Sequence, residues 1–289
     1  MPEEVHTRLN LLQELREPER LIEIADVGAS RSSTPACRPL LATGLSRVSG
    51  FGPQESAFEA LEPMQPDTAR FFPFAAGDGT LGELKVCGKS GVASLLEPNI
   101  ETFGSPARDH RACGVPELVE MPTKRLDGID GLGEVDFLDT DIQGGEVDVL
   151  RHGSGALKIR AAGMTEAALV PLYEDQPVID TQMGVLRQLG FHPHTFMFVK
   201  SIPISSKLAG AKIPSAPARS QPIDGDALVI NDLYDLGNAP DERPEHLALL
   251  ADGCWRSPDL AVRCLAPLLE RGTIAGARRA AYLTELEPA

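Results

Sequence analysis

Short apolar runs that end in turn residues alternate with segments of helical apolar spacing along most of the chain. After an N-terminal helix, LIEIADVGAS predicts a strand and an Asp-x-Gly turn, and STPACRPLLATGL predicts a helix. RVSGFGPQ and ESAFEALEPM repeat this order. The alternation favours an α/β protein with a mostly parallel sheet and helices on both faces.

The middle of the chain continues the pattern with two interruptions. ARFFPFAAGDGTLGELKVCG predicts a hairpin around the turn Gly77-Asp78-Gly79, and the Gly-, Ser- and Pro-rich stretch 89–116 is a candidate substrate-facing lid. VDFLDTDIQGGEVDVL, residues 135–150, begins as a strand and resumes as a helix after two glycines. DTQMGVLRQLG then predicts a helix, and FHPHTFMFVKSI predicts the closing strand of the sheet.

A change of composition after that strand predicts a domain boundary. Residues 201–225 are rich in Pro, Ala and Ser, which is typical of a linker between an α/β domain at 1–200 and a helical C-terminal extension at 226–289. In the extension, Ser257-Pro258 begins a helix that places Leu260, Cys264 and Leu268 on one face. Pro267 predicts that this helix is kinked or short.

Charge and cysteine content narrow the functional classes. The chain has 42 acidic residues against 27 Lys and Arg, a formal charge of −15, and no local basic patch, so nucleic acid is not an expected partner. No secretory signal and no apolar run long enough for a membrane span are found, which favours a cytoplasmic protein. The five cysteines have no CxxC spacing, and their odd number favours reduced thiols.

The carboxyl ends of the predicted strands are the expected place for chemistry, because open α/β sheets bind ligands there. The first strand ends in Asp26-Val27-Gly28-Ala29-Ser30, where a glycine permits close approach of a ligand and the next helix can receive an anion. An ordinary tight turn is the alternative interpretation. The dinucleotide pattern GxGxxG is absent, which disfavours a nicotinamide cofactor.

The fourth predicted strand places acids at the same edge. Strand alternation puts Phe137, Asp139 and Asp141 on one face, with Asp141 at the crevice and Glu146 in the first turn of the next helix. The alternative interpretation of Glu146 is a favourable charge at a helix N-terminus. For Asp139, a solvated strand end is favoured over a ligand-binding role. Metal binding by these carboxylates is a minority interpretation, and we predict no metal.

Two histidines flank Pro193 before the last strand. Either His192 or His194 could act as a general base, because the histidine pKa lies near neutrality, although exposed histidines without a role are more common. Tyr173 and Glu166 are more typical of packing or hydrogen-bonding residues than of catalysts.

Six blocks in order, IADVGAS, FGPQESAFEAL, FAAGDGTLGEL, SGVASLLEPN, FLDTDIQGGEVDVL and GFHPHTFMFV, resemble the FkbM family of S-adenosylmethionine-dependent methyltransferases from about Leu21 to Val199. The resemblance implies a Rossmann-like methyltransferase fold and methyl transfer to a hydroxyl of a sugar, glycan or natural product. It also implies that Asp26 to Ser30 face the methionine part of the cofactor, that Ala75, Ala76 and Asp78 lie near adenine, and that Asp141 lies near the sulfonium and the acceptor.

The sequence departs from the family pattern at the end of the second strand. The family usually has Phe-Glu-Pro there, with the Glu expected to hold the ribose hydroxyls, whereas this chain has Phe51-Gly52-Pro53. Three positions near the fourth predicted strand are also altered. Asp139 replaces the usual Lys, Gln143 replaces the second acid, and Gly145 replaces the family's usual small residue before Glu146. A degenerate domain that binds a partner or glycan without catalysis is therefore the alternative to an O-methyltransferase.

These inferences predict a site for S-adenosylmethionine and a small-molecule or glycan acceptor, in a chain that could form a homo-oligomer. The predicted catalytic residues are Asp141, His194 and Glu146. The acceptor is expected under the loop around Ser94, with His192 as a second substrate-binding residue. The predicted cofactor-binding residues are Asp26, Gly28, Ala29, Ser30, Gly52, Pro53, Ala75, Ala76 and Asp141.

Overall fold

The computed structural model describes residues 3–15, 18–28, 37–52, 68–87, 93–99, 102, 115–157, 161–202 and 220–286. The strands within these ranges are β1 (Ile22–Val27), β2 (Ser46–Phe51), β3 (Ala69–Phe72), β4 (Ala75–Ala76), β5 (Leu81–Val86), β6 (Ala93–Ser94), β7 (Glu117–Lys124), β8 (Phe137–Thr140), β9 (Ala162–Ala168), β10 (Phe191–Ile202) and β11 (Gln221–Asn231). The helices are α1 (Glu3–Leu15), α2 (Arg38–Leu41), α3 (Glu146–Arg151), α4 (Ile179–Gln188), α5 (Glu242–Gly253), α6 (Pro258–Glu270) and α7 (Gly276–Thr284).

A mixed seven-stranded sheet forms the centre of the described structure, in the order β10-β11-β9-β8-β1-β2-β3. The pairs β3–β2, β2–β1, β1–β8 and β8–β9 are parallel, whereas β11 runs antiparallel to both of its neighbours. Along the chain, the sheet grows from β1 through β2 to β3 and then returns to the other side of β1 at β8. The strand order therefore reverses between β1 and β8.

Strand alternation divides the apolar residues between two cores. Ile22, Ile24 and Leu228 face one core, which also contains residues of α1, α2, α5 and α6. Ala25 and Val27 face the opposite core together with residues of α3 and α4. Because odd and even positions of β1 leave the strand on opposite sides, this strand contributes side chains to both cores. Each core also contains helices, so helices cover both faces of the sheet.

The C-terminal helices belong to the first core. Leu247, Leu260 and Leu268 are buried there with Leu9 of α1. Asp252 of α5 accepts hydrogen bonds from Arg8 Nη2 at 2.8 Å and from the Tyr282 hydroxyl at 3.1 Å, which joins α1, α5 and α7. The Leu260, Cys264 and Leu268 face predicted from the sequence is buried, but α6 continues through Pro267 to Glu270.

The predicted linker and extension differ from the structure at β11. This strand occupies residues 221–231 and lies between β9 and β10 inside the main sheet. Gly225 is needed there, since a Cβ atom at this residue would lie 2.4 Å from the carbonyl oxygen of Phe198 on β10. The last residues of the predicted linker and the first of the predicted extension therefore complete the α/β domain, and α5–α7 cover its sheet.

The hairpin predicted around Gly77-Asp78-Gly79 is wrong. β3 pairs with β2 in the main sheet, whereas β4 and β5 both pair with β7 in a second sheet of order β4-β7-β5-β6. The turn therefore connects β4 to β5, which both pair with β7 and do not pair with each other. β7 and this small sheet were not expected from the sequence.

The prediction of reduced thiols is wrong for Cys37, Cys87 and Cys254, which are disulfide-bonded. Cys37 and Cys254 bond each other across 217 residues of sequence. Disulfides are typical of oxidising compartments, so this bond weighs against the cytoplasmic location that composition favours. Cys264 is a buried free thiol, as expected of a packing residue. In the part of the chain that the structure describes, no helix combines the length and apolar character needed to cross a membrane.

We predict that a chain ending at Gly225 does not fold. The truncation removes Asp226–Asn231, whose partners in β9 include Glu166 and Ala162, and also the helices that bury one face of the sheet. Thermal unfolding followed by circular dichroism should show no cooperative transition. A chain ending at Leu286 retains all of these elements and is the control. A cooperative transition in the shorter chain would contradict the placement of β11 in the core sheet.

Candidate functional site at the carboxyl edge of the sheet

The strand order reverses between β1 and β8, so a ligand crevice is expected at the carboxyl ends of these strands. In open α/β sheets ligands bind at such a switch point, because the connections that follow the two strands diverge to opposite faces. Asp26 and Asp139 are partners across these two parallel strands, so their side chains leave the sheet on the same side. The turns that follow, at Gly28 and at Asp141, form the floor of the crevice.

Gly28 brings these two turns into direct contact. Its N–H donates to the carbonyl of Phe51 at 3.1 Å, while the N–H of Asp141 donates to the carbonyl of Val27 at 3.0 Å. Gly28 has φ +104°, and a Cβ atom at this residue would lie 2.0 Å from the carbonyl oxygen of Asp141. The position thus requires glycine for both its backbone conformation and its lack of a side chain.

The turn after β8 is held by the carboxylate of Glu146. Its oxygens accept hydrogen bonds from the N–H of Ile142 at 3.2 Å and of Gly144 at 3.0 Å. Glu146 is 1% exposed, and Gln143 and Gly144 both have positive φ, +59° and +112°. These bonds fit a residue that fixes the turn better than one that transfers a proton.

Gln143 connects this turn to three other elements. Its side-chain Nε2 donates to Asp141 Oδ1 at 2.8 Å and to Glu166 Oε2 at 2.7 Å. Its Oε1 accepts from the hydroxyl of Tyr173 at 2.9 Å. The hydroxyl of Ser94, on β6, donates to the backbone carbonyl of Gln143 at 2.6 Å. The predicted substrate-binding residue Ser94 therefore lies at this turn and supports it.

Within the described ranges, the acids at this edge outnumber the cations that contact them. Among the described residues, no Lys, Arg or His forms an ion pair with a set of six carboxyl groups, and the nearby cation Lys200 contacts Asp224 at 3.4 Å. A cationic ligand would therefore find complementary charge here. The six are Asp26, Asp139, Asp141, Glu146, Glu166 and Asp226.

Burial and mutual repulsion favour the protonated form of several of these acids. Burial, followed by the charge of Asp141, raises the pKa of the Asp26 carboxyl to about 7. Burial also raises the pKa of Glu146 to about 7, against the hydrogen bonds that its carboxylate accepts from the backbone. The pKa of Asp139 is raised well above its ordinary value by burial and then by the neighbouring carboxylates.

The other predicted cofactor residues lie along the same edge where the structure describes them. Gly52 follows β2, and its N–H donates to the carbonyl of Phe72 at 3.3 Å. The rings of Phe51 and Phe72 stack beside it with centroids 4.8 Å apart. Ala75 and Ala76 form β4, shortly after β3 ends. Ala29, Ser30 and Pro53 lie outside the described residues.

The structure does not bring the two predicted histidines to this site. β10 lies three strands from β8, about 14 Å at the usual strand spacing of about 4.8 Å. His192 pairs with Ile230 and so lies level with the start of β8, roughly 13 Å below Asp141 along the strand direction. His194 Nε2 contacts Ser257 Oγ at 3.2 Å, before α6. A catalytic or substrate-binding role at Asp141 is incompatible with these positions.

Sequence reasoning assigned no role at the site to Glu166, Asp224 and Asp226, and treated Tyr173 as a packing or hydrogen-bonding residue. Glu166 follows the same rule as Asp141, because it is an acid near the carboxyl end of a parallel strand. That signal was available, although the commoner packing interpretation was preferred. Asp224 and Asp226 reach the edge only because β11 is antiparallel, which no local pattern indicated.

The reversed strand order and the switch-point turns define an α/β protein in which a ligand site is expected at the carboxyl edge of the sheet. The sequence matches the model of the Methyltransferase FkbM domain over residues 26–193, more than half of the chain. The chain belongs to the FkbM methyltransferase family. Among curated protein sequences, none matches it.

Two solved methyltransferases illustrate the structural similarity. An O-methyltransferase from a trans-AT PKS multienzyme of Brevibacillus brevis, in complex with S-adenosyl-L-homocysteine, has 11% identity and a TM-score of 0.39, with 94% of this chain and 84% of that chain covered. Magnesium protoporphyrin IX methyltransferase from Synechocystis PCC 6803, with bound SAM, has 12% identity and a TM-score of 0.30, with 79% and 78% covered. TM-scores this low support no further conclusion, so the family assignment is based on the sequence match.

We predict that Gly28→Ala destabilises the protein more than Gly44→Ala does. Both glycines have positive φ, so both substitutions should cost roughly 1–2 kcal/mol for the backbone conformation. Nothing lies within 4 Å of a Cβ atom at Gly44, whereas one at Gly28 would overlap Asp141. Overpacking should add about 1–3 kcal/mol. Urea unfolding measures both free energies, and equal losses would show that the two turns are not in contact.

Proposed function

We propose that this chain is an S-adenosylmethionine-dependent O-methyltransferase with a Rossmann-like methyltransferase fold, acting on a hydroxyl of a sugar, glycan or natural product. The family match carries the proposal, because the matched region begins at Asp26 and includes both switch-point turns.

The residues of the crevice fit this cofactor. When bound, S-adenosylmethionine supplies an electrophilic methyl group on a positively charged sulfur. The exposed carboxylate of Asp141 provides negative charge, and neither it nor Asp26 or Asp139 has a cationic partner among the described residues. Gly28 has no side chain that would block the approach to this charge. Asp26, Gly28 and Asp141 would therefore hold the charged part of the cofactor.

Gly52 is the position that fits less well. A carboxylate at the end of β2 would accept hydrogen bonds from the ribose hydroxyls, and Gly52 offers only backbone groups. The alternative of a binding domain without catalysis is motivated by this residue. The aromatic rings of Phe51 and Phe72 and the strand β4 remain available beside it for the adenine.

The chain would contribute mainly position and charge to the transfer. Holding an acceptor oxygen in line with the methyl group can supply roughly 7–11 kcal/mol of the barrier. Asp141 is exposed at the edge of the crevice and would accept a hydrogen bond from the acceptor hydroxyl. Glu146 and Ser94 would act indirectly, since their side chains fix the turn that carries Asp141 and Gln143.

We expect Asp141→Asn to reduce methyl transfer about a hundredfold or more while changing stability by about 0.5 kcal/mol. The assay measures transfer from labelled S-adenosylmethionine to hydroxyl-bearing glycans and small molecules of the source cell. Asp148→Asn, at an exposed position on α3, is the control and should keep wild-type turnover. If Asp141→Asn keeps wild-type turnover, Asp141 has no role in methyl transfer. Binding of S-adenosylhomocysteine without any transfer would favour the alternative function.

We further expect Gly52→Glu to tighten the binding of S-adenosylhomocysteine. Charge-assisted hydrogen bonds to the ribose would add on the order of 1.5–3 kcal/mol, which corresponds to roughly a tenfold to hundredfold lower Kd. Titration calorimetry provides the measurement. Gly52→Ala adds a Cβ atom without a carboxylate and is the matched control. Equal affinity of the two variants would show that a carboxylate at position 52 does not bind the ribose hydroxyls.

A further inference from the structure

The side chain of Gln143 makes three hydrogen bonds, with both of its donor hydrogens and with its oxygen in use. The two hydrogens of Nε2 go to the carboxyl groups of Asp141 and Glu166, and Oε1 receives the hydroxyl of Tyr173. The reverse orientation of the amide would place its oxygen against two carboxyl groups. The network therefore defines which end of the amide faces the acids.

The backbone of Gln143 is held as firmly as its side chain. Its φ of +59° is uncommon for a residue other than glycine. The bond from Ser94 to its carbonyl and the bonds of Glu146 to the adjacent N–H groups support this conformation. Tyr173 is fully buried, so its hydroxyl is a fixed partner for the amide. A strained residue that joins two acids at a crevice is a candidate for function.

We propose that Gln143 is a positioning residue that holds Asp141 and Glu166 as a carboxyl pair, and that this pair receives the proton of the acceptor hydroxyl. The inference rests on the proposed methyl transfer and deepens it by adding Glu166 to the reacting groups. Asp141 is exposed toward the crevice, while Glu166 lies behind it, joined to it through the amide of Gln143.

The step is balanced in atoms and charge. The acceptor oxygen forms a bond to the methyl carbon as the carbon–sulfur bond breaks, and the bonding electrons stay on sulfur. The hydroxyl proton moves to the carboxyl pair, whose charge becomes less negative by one. The sulfonium loses its positive charge in the same step, so the net charge of the site is unchanged.

Burial and the surrounding charges oppose the ionisation of Glu166. Burial and then the charges of Asp141, Glu146 and Asp224 raise its pKa well above the ordinary value. Asp226, the partner of Glu166 on β11, and the acids Asp26 and Asp139 add to the same negative edge. Lys200 is the facing cation, and it contacts Asp224.

A glutamine is required between the two acids because a carboxylate there would have no hydrogen to donate. A Glu side chain in place of Gln143 would remove both bonds to the acids and bring a third negative charge to them. The added negative charge would raise the pKa of Glu166 further.

The test is a titration of the ligand-free protein by NMR, with ¹³C at the glutamate side-chain carboxyls and Glu166→Gln to assign the signal. We expect Gln143→Glu to move the titration of Glu166 upward by about one pH unit or more. Asp224→Asn, which removes a neighbouring negative charge, should move it downward. Gln188→Glu makes the same chemical change at an exposed position of α4 and should leave it unchanged.

The pH dependence of kcat/KM for methyl transfer should shift in the same directions as the NMR titration. An unchanged Glu166 titration in both Gln143→Glu and Asp224→Asn would overturn the inference, and so would an unchanged rate profile in active Gln143→Glu. If Gln143→Glu does not fold, the test is the direction in which Asp224→Asn moves the Glu166 titration. A downward shift is expected, and no shift or an upward shift would contradict the inference. Absence of transfer in the wild-type protein would instead overturn the proposed function and the proton-acceptor role with it.

Discussion

The arrangement of the carboxyl edge depends on how closely the turn at Gly28 approaches the backbone of Asp141. No side chain fits between them, because a Cβ atom at Gly28 would lie 2.0 Å from the carbonyl oxygen of Asp141. The contact fixes the ends of β1 and β8, the two strands between which the order reverses. The turn at 142–145, and with it Gln143 and Glu146, is placed by that contact.

Negative charge is the second constraint, and it opposes the first. Packing two strand ends together buries Asp26 and Asp139 and brings them close to Asp141, and burial followed by the neighbouring negative charge raises the pKa of both. Backbone N–H groups and the amide of Gln143 offset part of the repulsion. The remaining repulsion lowers the stability of the ligand-free protein, and a cationic ligand would relieve it. The acids at this edge therefore favour ligand binding at a cost in folding stability.

Much of the main sheet could be predicted because β1, β2 and β8 are buried runs that end in turn residues. The position of Asp141 followed from strand parity, and Asp26 and Gly28 from the end of the first strand. β11 could not be found locally, since Pro222, Asp224 and Gly225 are unfavourable in an isolated strand and are explained by its neighbours β9 and β10. The histidines were misplaced because their strand begins at the opposite edge of the sheet. The Cys37–Cys254 bond joins segments that no sequence pattern connects.

The central claim is that cofactor binds in the crevice between β1 and β8. Its most direct test is the change in backbone amide NMR signals when S-adenosylhomocysteine is added to the full chain. The account predicts that the largest changes occur at Gly28, Asp141 and Gln143, and that the signals of His192 and His194 stay in place. Large changes at the histidines with none at Gly28 and Asp141 would contradict it.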